Sequence, residues 1–107
     1  MDTKQFNELI LQSLEHELGG LQVYETALKC AVNEELREEW EKYLEETRSH
    51  VEALTTVCRR LEIDASEEAP GRSVVRHLGG ALVDAMEMAL ASGTPEAAEL
   101  VACECVV

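Results

Sequence analysis

Residues 33–61 read NEELREEWEKYLEETRSHVEALTTVCRRL. Asn33 supplies a side-chain oxygen for the free amides of a helix start, and Glu34 and Glu35 suit the positive end of its dipole. Arg59 and Arg60 suit the other end. Between them Leu36, Trp40, Tyr43, Thr47, His50, Leu54, Val57 and Leu61 recur at steps of three and four, the signature of a helix with one face on a core. The stretch therefore predicts a helix over 33–62. Thr47 and His50 are the two polar interruptions of its apolar seam.

Working outward, residues 3–31 predict a second long helix with Ile10, Leu14, Leu21, Tyr24 and Leu28 as its stripe. Gly19-Gly20 interrupts it, at about 1 kcal/mol per glycine relative to alanine. Close approach of another helix is the expected reason. Only Ala31-Val32-Asn33 separates the two helices, so they must form an antiparallel hairpin. On the other side, residues 63–94 are expected to be a crossover that opens on the polar run IDASEEAPGR. That crossover holds a helix over about 73–91, with Val74, Leu78, Leu82, Ala85, Met86 and Ala89 on one side. Of Met86 and Met88, only one can face a core. Ser92-Gly93-Thr94-Pro95 combines a helix stop, an N-cap and a first-turn proline, so 95–107 reads as the start of a further core helix without a C-cap. No convincing internal repeat stands out. The expected fold class is all-α, a single helical bundle domain over 1–107.

The formal net charge of −13 excludes nucleic acid and anionic membrane surfaces as partners. MDTKQFNEL has neither the basic start nor the apolar run of a signal peptide, and no segment approaches the ~20 apolar residues of a membrane span. A cytoplasmic location is expected, with Cys30, Cys58, Cys103 and Cys105 as reduced thiols. Cys30 and Cys58 belong to opposite ends of the hairpin, ~30 Å apart, against ~6 Å for a disulfide. Cys103 and Cys105 point about 200° apart on a helix and chelate poorly.

Pairing the two helices across their turn sets Glu17 opposite about residue 48, level with Glu46 and His50. Glu46 and His50 are four residues apart and can share a helix face. A carboxylate and an imidazole in facing seams need partners, and a metal ion serves several at once. The plainer reading is a hydrogen-bonded core histidine and a rim glutamate. Tyr24 and Tyr43 are most simply core residues.

These residues resemble the ferritin-like superfamily of di-metal carboxylate bundles, including bacterioferritin and rubrerythrin relatives and small bacterial stress-type proteins. The resemblance covers about residues 3–62. It implies Glu17 as the first-helix ligand with Tyr24 beside it, and Glu46 and His50 as the bridging glutamate and terminal histidine of a Glu-x-x-His pair. It implies iron, or manganese or zinc, as the cofactor, and Fe(II) oxidation by oxygen or peroxide as the reaction. The family spacing is three residues and here it is four, with Ser49 and Thr47 at the positions a three-residue spacing would use. The second half of the site would fall near residue 109, so the expectation is either that a second subunit completes the bundle or that the chain is a fragment of something longer. The alternative function is a non-enzymatic helical interaction protein that has lost the metal site. A homodimer or higher homo-oligomer is expected under both.

Overall fold

The computed structural model describes residues 2–106; Met1 and Val107 lie outside it. Four helices follow in order: α1 (Thr3–Cys30), α2 (Glu34–Arg60), α3 (Pro70–Ser92) and α4 (Pro95–Cys105). The fold is all-α. Their ends are fixed by local chemistry. Asp2 and Gln5 form a reciprocal capping box at α1. The Asn33 side chain accepts from the amides of Glu35 and Leu36, and the Thr94 hydroxyl accepts from Ala97. At the end of α2, Glu62 takes φ 56°. Its amide donates to Arg59 and that of Ile63 to Cys58, the two bonds of a Schellman stop, with buried Ile63 as the accompanying hydrophobic contact.

α1 is the hub: it packs against each of the other three helices, while α2 approaches neither α3 nor α4. α3 runs parallel to α1, with Gly71 at Gln12, Arg72 at Glu15 and Gly79 at Gly19. The segment expected as a crossover is thus a link over 61–69 followed by a wall of the bundle. α4 folds back antiparallel to α3 and therefore parallel to α2. Its Glu99 carboxylate accepts from the Val32 and Asn33 amides (2.6 and 2.7 Å), tying α4 to the α1–α2 turn.

Two apolar clusters form. Leu11, Leu14, Cys58 and Ile63 close the N-terminal half of α1. Val23, Ala27, Cys30, Trp40, Met86, Ala98, Ala102 and Cys105 close the other half. α2 buries Trp40, Leu44, Thr47 and Cys58, whereas Tyr43, His50 and Leu61 of the expected seam are exposed. Steps of three and four fit 43/47/50 and 44/47/51 equally well, and the helix is turned so that Leu44 and Val51 point inward. On α3 the expected stripe is corrected more strongly. Met86 is fully buried, while Val74 and Leu78 are each 59% exposed, and Met88 is 69% exposed.

The paired glycines answer to two neighbours. A Cβ on Gly20 would lie 3.2 Å from Thr47 Cγ2 of α2, and a Cβ on Gly79 would lie 3.7 Å from Gly19 Cα. The tripeptide Leu-Gly-Gly stands at 18–20 and again at 78–80, and the parallel helices α1 and α3 cross where the two copies meet. A Cβ added at Gly19 itself meets nothing within 4 Å. Gly19→Ala should therefore raise stability by about 0.5–1 kcal/mol through helix propensity. Gly20→Ala should gain less, because Thr47 must give way; urea unfolding of both variants checks the order.

Among the described residues one ion pair is buried, and neither of its members lies on a stripe expected from the sequence. Glu15 and Arg72 are 8% and 5% exposed, with Arg72 Nε donating to Glu15 Oε1 at 2.7 Å. Arg72 also donates to the carbonyls of Ala65 and Glu67, and Arg76 bridges Glu15 to Glu68. Burial works to raise the Glu15 carboxyl, and the hydrogen bonds and charges of Arg72 and Arg76 outweigh it, leaving it below its ordinary 4.5. A carboxyl depressed in the folded state stabilises fully above its unfolded value and loses that contribution as pH falls through its folded value. The melting temperature should therefore drop between about pH 5 and about pH 3. Glu68 and Glu99 are also depressed, by Arg76 and by the Asn33 and Val32 amides, and add to that slope. Glu15→Gln should cost about 3 kcal/mol at neutral pH, since it strands Arg72, and its acid slope should be shallower than that of the parent chain.

Candidate functional site

The hairpin register brings Glu17 of α1 against His50 of α2, with Glu17 Oε2 3.4 Å from His50 Nδ1. The contact arises on the edge of the hairpin. The His50 side chain is 60% exposed and that of Glu17 is 24% exposed. This corrects the expectation of a histidine in the buried seam: Val51, its neighbour, takes the inward direction. The pair satisfies itself, so burial alone does not demand a further partner.

Glu46 is exposed and lies one turn before His50 on α2. Its carboxylate and that of Glu17 bear on the same phenol. Tyr24 is pushed above its ordinary 10.0 by burial first, and then by the charges of Glu17 and Glu46. Tyr24 also meets Tyr43 across the hairpin, with ring centroids 6.0 Å apart and planes tilted by 51°. The four residues named from the sequence thus share one neighbourhood, with Glu17–His50 as its only direct polar contact among the described residues. Thr47 and Ser49 are occupied elsewhere: their hydroxyls donate to the carbonyls of Tyr43 and Glu45. Among the described residues, no three His, Cys, Asp or Glu side chains are grouped closely enough to enclose a metal ion.

Beside this edge, an apolar cleft of about 270 Å³ opens between α1, α3 and the end of α4. Gly20, Tyr24, Gly79, Leu82 and Cys105 line it, with exposed His16 at its polar end. Glycines on both facing helices leave this space. Tyr24 alone belongs to both the cleft and the Glu17–His50 neighbourhood. The four cysteines are free thiols. Burial pushes the Cys30 and Cys105 thiols up, which keeps them protonated and poor as nucleophiles.

Comparison with protein-family models, with curated proteins and with solved structures finds no match for this chain.

The Glu15–Arg72–Arg76 network went unread because α1 also buries Leu11, Glu15 and Val23, a line at steps of four and eight that carries a charge. Its arginine partners come from an element whose placement the sequence did not give. For the Tyr24 neighbourhood the test is spectroscopic. In a Tyr43→Phe background the remaining phenol should titrate above its ordinary value. Glu17→Gln and Glu46→Gln should each move it down, as followed by phenolate absorbance.

Proposed function

We propose that this chain is a ferritin-like helical metal-binding protein whose site holds a single divalent ion rather than a metal pair. The observation that carries the reading is the Glu17 Oε2–His50 Nδ1 approach of 3.4 Å across the hairpin. That separation is short enough for one ion to take both donors, at about 2.0–2.2 Å from each. A carboxylate with an imidazole suits iron, manganese or zinc. Glu46, on the same edge and acting on the same phenol as Glu17, is the third donor, reached by a side-chain rotation of an exposed glutamate. A di-metal arrangement does not fit: Glu46 and His50 have the four-residue spacing, and Ser49 and Thr47 spend their hydroxyls on the helix backbone. When bound, the ion would supply Lewis acidity and, as iron, one-electron redox chemistry. The chain's own residues hold it at a half-exposed edge, and Tyr24 lines the inner side with its proton retained.

A second reading has an observation of its own. His50 is mostly exposed and already has the Glu17 carboxylate as a polar partner, which favours a helical interaction protein in which the pair only fixes the hairpin register. Metal loading separates the two. After anaerobic Fe(II), Mn(II) or Zn(II) loading and desalting, the first reading expects close to one ion per chain. Glu17→Ala and His50→Ala should each remove it, and Glu46→Ala should weaken it by about tenfold or more, as loss of one ligand does. No retained ion with any of the three metals would leave the second reading.

A further inference from the structure

The charge of −13 is spread unevenly. α1, α2, α4 and the 61–69 link are all acidic. α3 is not: Arg72 and Arg76 balance Asp84 and Glu87. α3 also carries more exposed large apolar side chains than any other helix, Leu82 and Leu90 among them. Val74, Leu78, Ala81, Ala85 and Met88 are all exposed, Val74 and Leu78 at 59% and Met88 at 69%. They follow one another at steps of four, three, four and three, the spacing of a two-helix seam. The opposite side of α3, through Arg72 and Met86, is the side that packs on α1. The seam therefore faces away from the α1 contact, with Leu78 at its inner edge, where it also lines the cleft.

We propose that this face is where a second copy of the chain docks, α3 against α3, antiparallel about a two-fold axis at Ala81. Three features select that occupant and that direction. First, two strongly acidic molecules can approach closely only where little negative charge is presented; Arg72 and Arg76 are held by Glu15 and Glu68, and Asp84 is the one carboxylate of α3 that flanks the seam. Second, the residues flanking the seam are sorted. One flank is apolar, with Val75, Leu82 and Ala89; the other carries exposed His77 and Asp84, one heptad apart. Antiparallel packing sets like flank against like flank. It places His77 of each copy beside Asp84 of the other, twice, and Leu82 beside Leu82. Parallel packing would set His77 and Asp84 against the apolar flank. Third, alanines at 81 and 85 let the two helix axes come close at the centre, while Val74 and Met88 meet at either end. The inference does not rest on the metal reading, since Glu17, Glu46 and His50 belong to the α1–α2 edge.

The seam is short, so association is expected on the order of micromolar. Sedimentation velocity across that range should show a monomer–dimer equilibrium. His77→Glu sets like charges face to face at both ends and should weaken dimerisation by at least about tenfold. The double substitution His77→Glu with Asp84→Lys restores opposite charges and should recover it. In a Cys103→Ser background, Ala81→Cys should form a symmetric intermolecular disulfide under mild oxidation, and Glu45→Cys on α2 should not. All these positions but Cys103 are exposed, and circular dichroism confirms that each variant is folded. A chain that stays monomeric, a dimer indifferent to His77→Glu, a loss that the charge swap does not repair, or no link through residue 81 would each overturn the proposal.

Discussion

The bundle depends on α1 being able to serve three neighbours at once. α2 and α3 do not pack on each other; α1 holds them in relation, with a lesser tie through α4, whose Glu99 binds the amides at the start of α2. The middle helix must therefore bury two lines of side chains rather than one, and its sequence carries the cost of that. One line, with Leu11, Leu14 and Leu18, accepts α2 and the link after it; the other, with Glu15, Gly19 and Val23, accepts α3. The adjacent glycines at 19 and 20 sit where the two lines converge. Gly20 gives room to Thr47 of α2, and on the other line it is Gly79 of α3 that lets its helix approach Gly19.

The same constraint explains the single buried charge pair. Glu15 lies on the line that faces α3, and an unpaired carboxylate there would be expensive to bury. Arg72 arrives in the first turn of α3 and meets it, spending its remaining donors on two carbonyls of the link that precedes that helix. Glu15 thus fixes both the start of α3 and the path of residues 65–67 into it. A buried pair of this kind adds little net stability over an apolar one, but it fails steeply when half removed. Its contribution is to location: α3 can slide along two facing glycines, and Arg72 stops it at one register.

Helix identity was legible from the sequence because the caps are local chemistry. Asn33, Thr94 with Pro95, and Arg59-Arg60 mark ends that packing does not alter. The Glu17–His50 contact was legible because a three-residue turn leaves a hairpin almost no freedom of register. What the sequence could not supply was rotation. Tyr43 and Leu44, or His50 and Val51, differ by 100° around the helix axis, and both members of each pair fit a three-and-four repeat. The neighbours that decide between them come from distant elements. The stripe on α3 was misassigned for the same reason. Val74, Leu78 and Ala85 form a regular apolar line, and a regular line says that something covers it without saying that the same molecule does.

That distinction separates the two open edges of the molecule. The α1–α2 edge is polar and aromatic, with two carboxylates, an imidazole and the Tyr43 phenol arranged around Tyr24; it is stocked with donors and short of apolar area. The α3 edge is apolar along its seam and polar only on one flank, with Asp84 as its carboxylate; it has area and almost no donors. Chemistry that holds a small ligand belongs to the first and chemistry that holds a protein surface belongs to the second. Because α1 lies between them, packed against both helices, either edge can be altered without touching the other. The cleft beside Gly79 is the one place where they come near each other, since Tyr24 faces it from the first edge and Leu82 from the second. A dimer that covers Leu82 would narrow the opening of that cleft and leave His50 in water, so the hairpin edge would stay open to small ligands whether or not the dimer forms.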